Sequence, residues 1–245
     1  MNERISQIEN KLKEDDWYRV AFLGDSITST EWVYPNWRGI MEVVLKEQLG
    51  EVAGEWSAPW WKVRCYNAGF NGITTKKIID YVDEELANYK PNLVIFVDTY
   101  NDKYHKIMPA AHKKNLAVIF DKLTRISKDI VFASSISRLK EAANIENKAY
   151  REASEEVIKE YEGKVQFIDM SSQYAEFDLR KLFTFISEDG NKDAGIKPGE
   201  VDFSHPNQLG NAYIAKIMLK EIFDIDFDPE LFIKETLEGK KYPSY

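Results

Sequence analysis

A chain of 245 residues, 44% hydrophobic and 13% aromatic, carries enough apolar surface to close one full-sized core, which excludes disorder as its main state. A formal net charge of −8 argues against a nucleic-acid backbone or an anionic membrane surface as the main partner. The single cysteine, Cys65, excludes an intramolecular disulfide and a cysteine-built zinc cage.

The chain opens on a stretch to about Lys13 whose Ile5, Ile8 and Leu12 predict a short amphipathic helix. The opening residues contain no continuous apolar run of the secretory type, and no window holds the roughly 18 uninterrupted apolar residues of a membrane span. The expectation is a soluble, cytoplasmic protein. Five short β-rich runs then recur, Val20–Leu23, Val63–Tyr66, Leu93–Val97, Ile130–Ala133 and Val165–Ile168. Their continuous hydrophobicity suits strands buried on both faces of a parallel sheet. Helical stripes alternate with them: Met41, Val44, Leu45 and Leu49; Ile78, Ile79, Val82 and Leu86; Leu116, Ile119, Phe120 and Leu123; and a weaker one at Ala149, Ala153, Val157 and Tyr161. This order predicts a doubly wound α/β fold. A last helix starts near Pro206, with Leu209, Tyr213, Ile217 and Ile222 as its stripe, and residues from about Asp226 lose periodicity and read as a surface tail. With no repeat or proline-rich linker, one domain over 1–245 is expected, its core at about 18–225.

Ligands of open α/β sheets sit at the carboxyl ends of the strands, where strand order reverses. After the first strand comes Gly24-Asp25-Ser26, a serine at the end of a buried strand behind a turn-forming glycine. Such a hydroxyl attacks an acyl carbon only if a histidine takes its proton. Asp202-Phe203-Ser204-His205 precedes Pro206; an aspartate three residues before a histidine can fold back and accept the ring N–H. After the second strand, Asn67-Ala68-Gly69-Phe70-Asn71-Gly72 can leave backbone N–H groups facing a cleft, as an oxyanion requires. After the third, Thr99-Tyr100-Asn101-Asp102 offers a side-chain amide. Each has a plainer reading as an ordinary turn or helix cap.

Together the four blocks resemble the SGNH/GDSL hydrolase superfamily: Gly-Asp-Ser at 24–26, Asn-x-x-x-x-Gly at 67–72, Asn-Asp at 101–102 and Asp-x-x-His at 202–205, spread from about residue 18 to about 220. The resemblance implies a three-layer α/β/α sandwich of flavodoxin-like form around a five-stranded parallel sheet. It also implies Ser26 as nucleophile, His205 as base, Asp202 as its orienting partner, and no cofactor or metal. The oxyanion hole would comprise the N–H groups of Ser26 and Gly72 and the Asn101 amide. One departure stands out: Thr99 occupies the position where the family usually has glycine, and a β-branched residue does not readily take positive φ.

Asp102 precedes His105 at the spacing that also relates Asp202 to His205, so His105 is a rival base, while His105 and His112 read otherwise as surface residues. Trp32, Tyr34 and Trp37 follow the serine, Trp60-Trp61 precede the second strand, and Asp98 precedes the third block. Trp32, Trp37 and Asp98 are therefore candidate substrate contacts. The segment from Ser172 to Val201 could wall the cleft. The expected activity is hydrolysis of a small polar acyl ester, such as an O-acetylated carbohydrate, through an acyl-enzyme. The alternatives are an acyltransferase using the same residues, a silent glycan-binding domain, or a flavodoxin-like module whose Ser26, Thr28, Ser29 and Thr30 wrap a phosphate.

Overall fold

The computed structural model describes residues 2–53 (for 51–53 the backbone alone), 60–241 and 243–245. Five parallel strands form the central sheet: β1 (Tyr18–Gly24), β2 (Val63–Gly69), β3 (Leu93–Val97), β4 (Asp129–Ala133) and β5 (Gln166–Ile168). Their order is β2-β1-β3-β4-β5, all neighbours parallel. Strand alternation divides the core in two. Val20, Phe22, Ile95, Val97 and Val131 point to one face, where they meet α1 (Glu3–Lys13), α2 (Trp37–Ala53) and α9 (Gln208–Phe223). Ala21, Leu23, Val94, Phe96 and Phe132 point to the other, beneath α3 (Thr75–Leu86), α5 (Pro109–Ile126) and α6 (Glu141–Ile158). This is the three-layer sandwich expected from the sequence.

The chain leaves β1 toward β2 on one side and resumes at β3 on the other, so the strand order reverses between β1 and β3. The loops after those two strands diverge there and open a crevice at their carboxyl ends. Remaining elements are α4 (Asn101–Tyr104), α7 (Met170–Ala175), α8 (Leu179–Leu182), the two-residue strands β6 (Ile186–Ser187) and β7 (Glu200–Val201), and α10 (Pro229–Leu237).

Three sequence expectations need correction. The segment after Asp226 is not a surface tail: Ile225, Phe227, Phe232 and Ile233 are buried, and α10 packs on α9. Pro229 at the first turn and Asp228, whose carboxylate accepts from Glu230 N and Leu231 N, start that helix; two turns are too few to show a period. The buried face of α6 begins at Ala143, Asn147 and Tyr150, leaving Ala149 exposed. A polar Asn and a Tyr on that face hid it from an apolar count. Finally, α9 is buried nearly all round, Ala212, Ile214, Ala215, Met218 and Leu219 included, because α1, α2, α7, α8 and α10 all contact it. Its single stripe was therefore an underestimate.

Candidate active site

Gly24 ends β1, and the chain turns at once: Asp25 O accepts from Thr28 N at 3.0 Å and from Ser29 N at 2.9 Å, while Asp25 Oδ1 accepts from Ile27 N at 3.0 Å. The turn lies flat on its neighbours. A Cβ on Gly69 would stand 2.8 Å from Ser29 N, and one on Gly24 3.0 Å from Val97 O. Two glycines thus let the loop pack down and hold Ser26 half-buried at the sheet edge.

On the other side of the crevice, the 202–205 turn folds around its own carboxylate. Asp202 Oδ1 accepts from Ser204 N at 2.8 Å and His205 N at 3.1 Å, and Oδ2 lies 2.7 Å from His205 Nδ1. The other ring nitrogen, Nε2, lies 3.0 Å from Ser26 Oγ. Groups 179 residues apart in the chain are thereby within hydrogen-bond reach. Burial raises the Asp202 carboxyl, but the hydrogen bond and charge of His205 and the two backbone N–H groups outweigh it, so it is held below the ordinary carboxylate range. An ionised Asp202 must accept, which gives Nδ1 the proton and leaves Nε2 as the acceptor for the serine hydroxyl. Trp32 stacks on the same imidazole with ring centroids 4.0 Å apart and planes 7° from parallel, and its Nε1 donates to Asn71 Oδ1 at 3.0 Å. An indole face favours a cationic ring by about 1 kcal/mol. Trp32→Ala is therefore expected to lower kcat/KM roughly fivefold, measured on p-nitrophenyl acetate across pH.

Gly72 has φ +69° with open space around its missing Cβ, so glycine is required there by backbone conformation. It lines the same cavity as Ser26 and Asn101. Thr99 stands at the family's glycine position, and Asn101 lines the cavity beside it. The Thr99 hydroxyl donates to Ile73 O at 3.0 Å and accepts from Asn101 N at 3.1 Å, and Thr99 has no positive φ. The loop is shaped by a side-chain hydroxyl instead of a left-handed backbone. Asn101 Nδ2 donates to Ile73 O at 3.0 Å and more distantly, at 3.3 Å, to Asp25 Oδ2. Asp25 is buried, and desolvation raises its carboxyl.

Behind this loop lies a fully buried polar cluster. His112 Nδ1 is 2.9 Å from Asp102 Oδ2 and Nε2 is 3.3 Å from Asp98 Oδ2. Asp98 also accepts from Ser154 Oγ at 2.6 Å, and Asp102 from Thr75 N at 2.8 Å and from the Thr75 hydroxyl. Both ring nitrogens face carboxylates, so both carry protons. Burial alone would lower this imidazole, but the two aspartates raise it to about 9. The sequence reading of His112 as a surface residue is thus overturned: it is 0% exposed and ties α3, α5 and α6 to the Asn101 loop. Because the folded value exceeds the unfolded 6.5, its contribution is full below that pH and is lost as pH rises through about 9. Thermal melts are expected to show the midpoint falling over that range, with a shallower fall in His112→Asn; parallel curves would contradict the charged assignment.

The cavity around Ser26 and His205 measures about 160 Å³, and Tyr104, Arg138, Asn191 and Asp193 complete its wall. The 172–201 segment does form a wall, through Asn191, Asp193 and Ala194. Trp32 lines the cavity, whereas two other proposed substrate contacts do not. Trp37 is a fully buried core residue whose Nε1 donates to Ile27 O at 2.9 Å, and Asp98 is sealed in the cluster just described. Trp60 and Trp61 stand at the amino end of β2, across the sheet from the site. Tyr34 is exposed and lines no part of the cavity. His105 does line it, but the carboxylate of Asp102 is bound to Thr75 and His112, so the rival pair does not form. Thr28 and Ser29 are buried under the glycine contacts, which removes them from any phosphate-wrapping loop. A larger cavity of about 880 Å³ opens at Arg4, Tyr18, Asn92 and Asp129, at the amino ends of the strands; Arg4 there is engaged by Asp129, Gln166 and Ile222 O.

Arg138 went unread in the sequence although it follows β4 closely, in Ser134-Ser135-Ile136-Ser137-Arg138. Its place just after the fourth strand, the position that holds the site residues after the first three, is the signal that marks it.

A strand-end serine, a histidine reaching it and an aspartate behind that ring form the arrangement that serine hydrolases of several folds use. The sequence matches the GDSL-like Lipase/Acylhydrolase family over residues 22–213, and the chain belongs to that family. It is a carboxylic-ester hydrolase of the SGNH/GDSL type. Among solved structures, a lipase/acylhydrolase from Enterococcus faecalis is similar at 19% identity and TM-score 0.59, covering 84% of this chain and 95% of that one. A catalytic mutant of Axe2, an acetylxylan esterase from Geobacillus stearothermophilus, is similar at 16% identity and TM-score 0.61, covering 86% and 95%. LAE5, an alpha/beta hydrolase enzyme from the metagenome of Lake Arreo, Spain, is similar at 15% and TM-score 0.58, covering 82% and 93%. At these identities the likeness is one of fold. No curated protein matches the chain. Among the described residues no helix is long and apolar enough to cross a membrane.

Proposed function

We propose that the protein hydrolyses a small acyl ester of a polar alcohol, an O-acetylated carbohydrate being the preferred case, through an acyl-enzyme on Ser26. The observation that carries this reading is the unbroken line of contacts from Asp202 to His205 Nδ1 and from Nε2 to Ser26 Oγ, at 2.7 and 3.0 Å. His205 takes the serine proton as Oγ adds to the ester carbonyl. The developing oxyanion is held by Ser26 N, Gly72 N and the Asn101 amide, which gives up its long contact to Asp25. The imidazolium then protonates the leaving alkoxide, and the ester bond breaks. Water repeats the sequence with the same base, releasing the acid and free Ser26.

The small cavity supports a short acyl group, since pockets that bury a drug-sized ligand measure about 300–1,000 Å³. An adjoining groove of about 350 Å³ shares Tyr104, Asp193 and Ala194 with it and gives room for the alcohol. The acetylxylan esterase among the structural neighbours is in keeping with this reading. The test is a chain-length series of p-nitrophenyl esters together with acetate release from acetylated xylo-oligosaccharides. The proposal expects acetate esters to exceed octanoate esters at least tenfold in kcat/KM. Preference for the longer chain overturns the choice of substrate.

A further inference from the structure

Arg138 is 6% exposed and lines the cavity that holds Ser26 and His205. Its Nη1 donates to Ser204 O, and no carboxylate among the described residues lies within ion-pair distance of it. A guanidinium has five N–H donors. The remaining side-chain nitrogens have no hydrogen-bond partner among the described residues, yet they are not among the atoms sealed from solvent without one, as Arg151 Nε is. They therefore reach solvent, and the cavity beside Ser26 is a space that Arg138 lines. The guanidinium acts on the buried Asp25 carboxyl through space without touching it, and a site that keeps a directly unpaired guanidinium beside its reacting serine is complementary to an anion that arrives with the ligand. A planar fork of donors suits a carboxylate in particular.

The adjoining groove extends that character. Its charged lining is Lys103, Lys140 and Lys192 against Glu146 and Asp193, an excess of one positive charge in a chain whose net charge is −8. Lys103 is paired with Glu146 at 2.7 Å and Lys140 lies 3.6 Å from Glu200, whereas Lys192 is exposed with no ion pair among the described residues. The acidic side chain facing both spaces, Asp193, is exposed, so water screens it while the buried guanidinium acts at low dielectric.

Resting on the esterase reading above, we infer that the alcohol half of the substrate is an acidic sugar: Arg138 binds a carboxylate next to the acylated hydroxyl, and the lysine-lined groove takes the neighbouring acidic units. The test is competition in p-nitrophenyl acetate hydrolysis by oligogalacturonate, against the same oligomer with its carboxyls methyl-esterified. The acid form is expected to inhibit competitively with an inhibition constant at least tenfold lower than the methyl ester, a difference that shrinks at high salt. Arg138→Gln is expected to bring the ratio to about one, and Arg138→Lys to keep part of it. Equal inhibition by the two forms, or none by either, in the parent overturns the inference. So does an Arg138→Gln variant that turns over p-nitrophenyl acetate more slowly yet keeps the parent's ratio, since an arginine that only holds Ser204 O behaves so. The esterase reading fails separately, if Ser26→Ala still hydrolyses p-nitrophenyl acetate at the parental rate.

Discussion

Ser26→Ala is expected to lower kcat for p-nitrophenyl acetate by about 10⁴- to 10⁶-fold while leaving the fold intact. Its hydroxyl is half-buried and its side chain's partner in the resting site is His205 Nε2, so removal costs little stability. His205→Ala should fall by a similar factor. The informative measurement is the double variant. If the two side chains act as one unit, Ser26→Ala/His205→Ala is no slower than either single change; if each lost activity for a separate reason, the losses multiply. A circular-dichroism melt on all three variants, with midpoints close to the parent's, removes unfolding as the cause.

Asn101→Ala should lower kcat by about 10²- to 10³-fold with KM little changed. A donor that binds charge only in the transition state affects the chemical step and not ground-state binding. The resting amide is already held by Ile73 O and, at longer range, by Asp25, so it needs little reorganisation to serve. Thr99→Val separates orientation from donation. It removes the hydroxyl that holds Ile73 O and Asn101 N but leaves the amide in place, and a loss of about tenfold is expected, the equivalent of one neutral hydrogen bond. Equal losses in the two variants would mean that Asn101 acts by shaping the loop and not by touching the oxyanion.

The sheet was legible because its strands are buried on both faces, and continuous apolar runs such as Leu93–Val97 have few other readings. The dyad was legible because the chemistry restricts residue type and spacing: Asp202 can fold onto His205 only within a short turn. What escaped has physical causes. The surroundings of His112 arise from three helices whose packing no local pattern encodes, and a buried imidazolium between two carboxylates looks in sequence like any polar surface residue. Trp37 and Trp32 are five residues apart and equally aromatic, yet one begins α2 inside the core and the other lies over His205; loop path decides between them. Arg138 carries the same signal as the other site residues, a place shortly after a strand end. The helix after Asp226 was hidden by its shortness.

The account stands on the reactivity of one hydroxyl, and a serine-directed fluorophosphonate reads it directly. Intact-mass analysis is expected to show a single adduct, mapped to the peptide holding Ser26, absent in Ser26→Ala and formed at least 10²-fold more slowly in His205→Ala, the base being what activates the serine. An unlabelled parent protein, or an adduct that persists in Ser26→Ala, contradicts it.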